Sequence, residues 1–571
     1  MSLNRLAYTL PDKLASDVNA SLQDWKKNGK VKWLWQRDNA LWTGTDEDKW
    51  LGWLDITEEQ IEDIEKLKQL AADIKKAGLK NALLLGMGGS SLCPEVLRMT
   101  FGKSGGYPDL RVLDSTDPAQ IKAVEESVDL SSTICIVSSK SGSTLEPNIY
   151  KQYFFDRVKN KVGEKEVGNR FIAITDPGSK LQRVADKDKF RKVFLGVPSI
   201  GGRYSALSNF GMVPAAVMGI DIVKFLKTTK KMVDACGVDS DAVANPGVIL
   251  GTILGLAAIQ GRDKLTIIAS PGIYDLGAWL EQLLAESTGK SGKGIIPVDR
   301  ECLSKPDAYG ADRVFVYLRL ESDSGKEHAA ALDALAKAGH PVVRIVLPDI
   351  YTLGQEFFRW EFATAVAGSL IGINAFNQPD VEASKTETRK LTTEYESSGK
   401  LPLETPFFTG DGAKLYADLK NAAALKGGAT LAGFLKKHLA RIGEGDYFAV
   451  LGYITMNDAH EEALQAIRLA VRDNKRVATV LGFGPRFLHS TGQTYKGGPN
   501  SGVFLQITCD DAMDILVPGQ KYTFGVVKSA QARGDFAVLA ERGRRALRVH
   551  LGKDVAAGLA MLTDAVNQAL A

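Results

Sequence analysis

Two short segments gather hydroxyl groups, one amine and flexible backbone: Gly86-Met87-Gly88-Gly89-Ser90-Ser91 and Ser138-Ser139-Lys140-Ser141-Gly142-Ser143-Thr144. Each follows an apolar run and leads into a helical pattern. Free N–H groups and the dipole at a helix N-terminus favour an anion. With the loops' hydroxyls and the nearby lysine added, the guest that fits is a phosphate ester. A single Ser/Gly turn can do no more than cap a helix; two in one stretch point to phosphate. A third segment, Ser199-Ile200-Gly201-Gly202-Arg203-Tyr204-Ser205, pairs glycines that admit close backbone approach with an arginine that can neutralise an oxyanion. Its plainer reading is a turn with a surface arginine. In the fourth, Glu281 to Lys290 (EQLLAESTGK), Glu286 sits where a helical pattern gives way to a polar loop. Partial burial there would raise its pKa towards the working range of a general base. A lone glutamate is otherwise a solvated charge.

Other chemistries fail on inspection. Leu284–Ser291 (LAESTGKS) ends like a P-loop without its first glycine, the Gly86 loop lacks a third glycine, and no G-x-S-x-G elbow occurs. The five cysteines, Cys93, Cys135, Cys236, Cys302 and Cys509, form no C-x-x-C pair, which argues against a disulfide framework or a zinc site and fits a reducing cytosol. The six histidines show no metal-ligand spacing, and no metal or other cofactor is expected.

The elements that must hold these loops follow from the apolar periodicity. From Asn81, short apolar runs alternate with loops and helices: ALLLGM (82–87), RVLDS (111–115), ICIVSS (134–139) and FIAIT (171–175). Buried strands alternating with helices mean a doubly wound parallel α/β sheet. LTIIAS (265–270), RVFVYLRL (313–320) and VVRIVL (342–347) make a second series. We divide the chain into a Trp-rich, irregular extension packed on the body (1–56), a first α/β domain (57–244), a second (245–385), a connector (386–445) and a C-terminal α/β unit (446–571). Thr57 with Gln60 reads as a capping box opening the helix that Gly78 stops. In the C-terminal unit YFAVLGYI, RVATVLGFG, VFLQI, TFGVVKSAQ and ALRVHLG read as strands, with HEEALQAIRLAVRDN and the final DVAAGLAMLTDAVNQAL as helices.

Composition bounds the partners. Lys and Arg number 71 against 68 Asp and Glu, a net charge of +3, so neither nucleic acid nor membrane is indicated. Hydrophobic residues at 44% and charged residues at 24% are ordinary for a globular protein. The longest oily stretch, Gly247 to Gly261, has 15 residues, too few to span a bilayer, and reads as a buried helix. No secretory h-region is visible in MSLNRLAYTLPDK.

Taken together, LLLGMGGSSLCPE, SSKSGSTLEP, SIGGRYSALSNFG, AESTGK and FNQPDVEASK resemble the glucose-6-phosphate isomerase family, in family order over roughly residues 80–390. With HSTGQTYKGGPNSGVFLQI added, the chain is similar to the isomerase half of fused transaldolase/glucose-6-phosphate isomerases, with no stretch left for a transaldolase barrel. The resemblance implies two sugar-isomerase (SIS) domains and a cytoplasmic homodimer whose active site lies at the dimer interface. It implies reversible aldose–ketose isomerisation of glucose 6-phosphate and fructose 6-phosphate through a cis-enediol, a step of glycolysis and gluconeogenesis. Gly89, Ser90, Ser139, Lys140, Ser141, Thr144 and Gly202 would hold the sugar phosphate, with Gln378 beside it. Arg203 would stabilise the enediolate, Glu286 would move the proton between C1 and C2, and Lys385 would lie at the ring-opening end.

One departure stands out. The family's ring-opening histidine lies in a G-Q-H segment, and the stretch here is Gly354-Gln355-Glu356. Either Glu356 assists, or His489 enters the site from the Gly-rich segment Gly484–Asn500, with Lys496 nearby; we expect His489. His328, His340, His438, His460 and His550 read as surface residues. Two alternatives remain: a broader isomerase that also takes mannose 6-phosphate, and a non-catalytic sugar-phosphate sensor, which needs phosphate ligands but no base.

Overall fold

The computed structural model describes residues 2–571. Its strands form three sheets. The first, in order β3-β2-β4-β5-β6, is parallel throughout: β2 Asn81–Leu85, β3 Asp109–Leu113, β4 Thr133–Ser138, β5 Phe171–Thr175 and β6 Lys192–Leu195. Alternate residues of the middle strands face opposite sides of the sheet. Ala82, Leu84, Ile134 and Ile136 enter one core, and Leu83, Leu85, Cys135 and Val137 the other. Both faces are therefore covered, which is why these strands read as unbroken apolar runs.

The second sheet runs β1-β10-β9-β7-β8, from β1 Arg5–Thr9, β7 Lys264–Ala269, β8 Ile296–Asp299, β9 Arg313–Leu320 and β10 Val342–Leu347. Its strands are parallel except β1, which pairs antiparallel with β10. This corrects the irregular N-terminal extension. Residues 5–9 are an edge strand, largely exposed and so without a period-two signature. The helix Asp12–Lys27 buries Leu14, Val18, Leu22 and Trp25, a stripe at helical spacing. The oily segment forms the helix Pro246–Ile259, capped by Asn245, whose side chain accepts from the Gly247 and Val248 N–H groups. It packs along the helix Leu353–Ile371. Among the described residues no helix is long and apolar enough to cross a membrane.

The third sheet, β11-β12-β16-β15-β13-β14, has a parallel part in β13 Tyr447–Tyr453, β14 Ala478–Phe483, β15 Gly502–Cys509 and β16 Arg545–Leu551. Its other strands, β11 Phe408–Gly410 and β12 Ala413–Tyr416, come from the expected connector. They form a hairpin turning at Asp411-Gly412, both with positive φ (51° and 76°), the conformation an Asp-Gly turn is made for. The helix Leu431–Leu439 buries Leu431, Phe434, Leu435 and Leu439 in the core of this unit. The connector reading is thus corrected: residues 408–439 build the C-terminal unit. TFGVVKSAQ is also corrected. Thr523 accepts from the Val526 N–H and caps the helix Phe524–Glu541. That helix is buried on several sides, so it shows no clean stripe.

The capping box at Thr57 does not form. The helix Ile56–Glu62 already contains Thr57, and the chain breaks at Asp63 before the helix Ile64–Lys76. Two histidines expected at the surface are interior. His438 is fully buried, its Nε2 3.0 Å from the Phe504 carbonyl oxygen, and burial pushes its pKa down to about 3. His340 is packed beside the Tyr309 and Phe315 rings, and its pKa falls to about 4.

Candidate active site

The site is assembled where the C-terminal ends of the first sheet meet the helix Leu276–Thr288 of the second domain. Ligands of open α/β sheets bind at such strand ends. After β2 the chain makes a short turn, Gly88–Ser90, and enters the helix Leu92–Phe101. This turn packs on the turn Gly202–Tyr204 so closely that a Cβ on Gly89 would lie 2.0 Å from the Gly202 carbonyl oxygen. Only glycine lets the two backbones meet, and the contact fixes the position of Arg203.

Arg203 is 1% exposed and each nitrogen of its guanidinium has a partner, with one N–H of the NH1 group left over on the side of Glu286. Nε donates to Ser287 Oγ (2.7 Å), one terminal nitrogen to Gln378 Oε1 (2.8 Å), and the other to the carbonyls of Ala375 (2.8 Å) and Asn377 (3.0 Å). Glu286, 8% exposed, has Oε2 3.7 Å from Arg203 NH1. Burial raises the Glu286 pKa above its ordinary value, while Arg203 and, behind it, His489, Lys385 and Lys290 pull it back. Burial lowers that of Arg203, and Glu286 opposes the shift. A base softened by desolvation therefore stands next to a fixed cation, the pair needed to remove a proton beside a carbonyl and hold the resulting oxyanion.

One turn before Glu286 on the same helix face lies Gln282. Its Nε2 donates to Glu286 Oε2 (3.3 Å) and to the His489 carbonyl oxygen (2.8 Å). The Gly88 backbone lies so near that an added Cβ would sit 2.9 Å from Gln282 Nε2 and 2.8 Å from the His489 carbonyl oxygen. His489 ends the turn Arg486–His489 that follows β14 of the C-terminal unit. Its Nε2 lies 3.0 Å from Glu146 Oε1. Glu146, in the first turn of the helix Leu145–Val162, also accepts from Gln531 (2.6 Å). Burial alone would raise the Glu146 pKa; His489 and backbone hydrogen bonds outweigh it and leave it below the ordinary value.

The hydroxyl loops flank this centre. Ser90 is buried beside Gly89. Ser139, at the end of β4, is buried, and its Oγ has no partner among the described residues. Ser141 and Thr144 stand at the start of the helix Leu145–Val162, with the Ser141 hydroxyl accepting from Ser143. Lys140 does not stand free: Nζ pairs with Asp176 (2.6 Å) and donates to the Val197 carbonyl (3.1 Å). Lys385 is on the helix Val381–Ser398, 41% exposed at its side chain, and paired with Glu382 at 2.7 Å.

Glu356 is not brought to the site, which corrects that alternative. It is fully buried in the helix Leu353–Ile371, where it accepts from Asn4 (2.7 Å) and faces Arg359 (3.4 Å). Lys496 serves the fold, paired in the interior with Asp535 at 2.6 Å. Glu146, Gln282 and Ser287 escaped the sequence reading. Gln282 had a usable signal, four residues from Glu286 on one helix face; the other two had none.

The sequence profile of the phosphoglucose isomerase family matches residues 58–299. That span holds Gly89 through Glu286 and leaves Gln378, Lys385 and His489 outside. A glucose-6-phosphate isomerase of Methanocaldococcus jannaschii is 28% identical over 357 residues, 57% of this chain and 86% of that protein. Among solved structures, a glucose-6-phosphate isomerase from Chlamydia trachomatis superposes with a TM-score of 0.57 at 21% identity, over 69% of this chain and 89% of that one. A hypothetical protein from Thermus thermophilus gives 0.58 at 24% identity, over 67% and 99%. These two likenesses bear on the fold.

Proposed function

We propose that this chain, which belongs to the phosphoglucose isomerase family, interconverts glucose 6-phosphate and fructose 6-phosphate. The observation that carries the proposal is the Glu286 carboxylate, desolvated and 3.7 Å from the locked Arg203 guanidinium, beside two hydroxyl-rich strand-end loops. In the open-chain sugar, Glu286 takes the proton from C2. The electron pair moves into a C1–C2 double bond, and negative charge develops on the C1 oxygen, where Arg203 meets it. The C2 hydroxyl proton passes to the C1 oxygen, the electron pair of the double bond takes the carbon-bound proton back at C1, and C2 becomes the carbonyl of the ketose. The phosphate, held by Ser90, Ser139, Ser141 and Thr144, fixes the far end of the substrate, so that the reacting carbons are presented in one orientation. Lys140 joins them only by exchanging its Asp176 partner for phosphate.

His489 completes the set. With Nε2 anchored on Glu146, its ring is oriented to move a proton between the ring oxygen and O1 as the cyclic sugar opens. It comes from the C-terminal unit of the same chain, so the homodimer is not needed to supply a histidine. We keep a homodimer and a cytoplasmic location as parts of the proposal. Lys385 can reach the ring-opening end only by leaving Glu382. The sensor reading loses ground, because Gln282, which donates to Glu286, packs against Gly88 of the first hydroxyl-rich loop, so that Glu286 is not remote from it.

The test is direct. Purified protein is mixed with fructose 6-phosphate without added metal, and glucose 6-phosphate is read through a coupling dehydrogenase. Turnover in wild type, lost in Glu286→Gln, is expected. A wild type that binds the sugar phosphate without turnover would hand the site to the sensor reading.

A further inference from the structure

A groove of about 690 Å³ opens where the N-terminal extension, the second domain and the C-terminal unit meet. None of the residues of the two hydroxyl loops lines it. Its charged lining is unbalanced. Lys290, Arg542 and Arg544 face a single carboxylate, Asp380, since the amine of Lys496 is committed to Asp535. Arg542 reaches Asp380 at 3.0 Å from a half-exposed position. Lys290 is 4% exposed, and its amine, with three donors, makes one hydrogen bond among the described residues, to the Asn374 carbonyl (2.5 Å). Arg544 is 5% exposed; it donates to the carbonyls of Lys496 (2.5 Å) and Gly498 (2.9 Å), and its Nε has no partner among the described residues.

Two buried basic groups with unused donors are costly unless something satisfies them. Gly292, Gly497 and Gly498 in the same lining let backbone come close to a small guest. Burial, with Arg203 nearby, also holds the Lys290 amine well below its usual pKa, a shift that a bound anion would reverse.

We propose that this groove is a second, non-catalytic anion site for a compact dianion of the phosphate type, free phosphate or the phosphate group of a small metabolite. Two guanidinium groups and a buried amine face one lining carboxylate, and guanidinium groups suit tetrahedral oxyanions. The site has a route to the catalytic centre. Lys290 is four residues beyond Glu286, and the Asn377 carbonyl, from another lining residue, accepts from Arg203. That coupling rests on the isomerase reading; the binding does not.

Equilibrium dialysis of radiolabelled inorganic phosphate against the full chain tests the site. Two phosphates per chain are expected, one displaced by saturating fructose 6-phosphate and one retained. Arg544→Gln, and in a separate protein Arg542→Ala, should weaken the retained one at least tenfold and leave the displaced one unchanged. Arg542 is exposed enough for its variant to fold. A parallel titration with glycerol 3-phosphate tells an ester from free phosphate by which holds the retained site more tightly. A single phosphate, wholly displaced by the sugar, overturns the proposal, as does a retained phosphate that neither variant affects. If fructose 6-phosphate displaces nothing while Arg544→Gln still removes one phosphate, the groove stands and the isomerase reading falls.

Discussion

Replacing Gly89 with alanine puts a methyl group into the contact that positions Arg203. The added Cβ would lie 2.0 Å from the Gly202 carbonyl oxygen, 2.3 Å from its carbon and 3.0 Å from the Arg203 nitrogen. All three are backbone atoms, so no rotamer change relieves the clash. Ordinary carbon contacts begin near about 3.5 Å, so the two turns must separate by about 1.5 Å. Arg203 would move with its turn, away from a carboxylate that now sits 3.7 Å from it. A misplacement of about 1 Å in a catalytic array costs about 10²-fold, or about 2.7 kcal/mol of barrier. We expect kcat/KM for fructose 6-phosphate in the coupled assay to fall by about 10²-fold, with thermal unfolding showing that the chain still folds. Gly105→Ala is the control, because nothing lies within 4 Å of its added Cβ. A Gly89→Ala enzyme within threefold of wild type would refute the idea that this backbone contact sets the position of the arginine.

Other outcomes follow from the same geometry. His489→Ala should lower turnover on the cyclic sugar while sparing solvent-proton exchange of the open-chain form; unchanged turnover on the cyclic sugar would remove His489 from the mechanism. With Glu286 as the proposed base and its pKa raised by burial, kcat/KM should fall on acidification with a midpoint above 4.5; a midpoint at or below 4.5 would mean another base. Diluting the enzyme from micromolar to nanomolar should leave kcat/KM constant, since Arg203, Gln282, Glu286 and His489 are brought together within one chain; a loss proportional to dilution would show that a second copy is needed. The folded-state pKa of His438 is lowered from 6.5 to about 3, so the unfolded chain binds the extra proton between those values. Its contribution is therefore complete above pH 6.5 and is lost as pH falls, by about 2 kcal/mol at pH 5. His438→Gln should flatten that part of a stability–pH curve, and an unchanged slope would contradict the buried neutral imidazole.

The sequence made the catalytic half of the molecule legible for a physical reason. Strands buried on both faces leave runs such as FIAIT and RVFVYLRL, whose observed bounds coincide with the expected ones. Phosphate-type loops carry their chemistry in consecutive residues, so they show without any tertiary information. What escaped was non-local. Glu146 is an ordinary first-turn acid until the fold brings His489 to it across 343 positions. β1 and the β11–β12 hairpin are edge elements, half exposed, with too little burial to impose a pattern. The helix Phe524–Glu541 misled because packing on several sides removes amphipathicity and leaves β-branched Val526 and Val527 to suggest a strand. Glu356 resembled a catalytic substitute only by its neighbours in sequence, and the fold uses it to hold Asn4.

The central claim is that Glu286 carries a proton between two carbons of the substrate, and the measurement closest to it is isotopic. Fructose 6-phosphate is incubated with the enzyme in deuterium oxide, and deuterium at C1 of the recovered ketose is read by NMR. Wild type should incorporate deuterium at that carbon, and Glu286→Gln, with its Arg203 neighbour intact, should incorporate none above the uncatalysed rate. Incorporation at the wild-type rate in Glu286→Gln would contradict the account and place the base elsewhere.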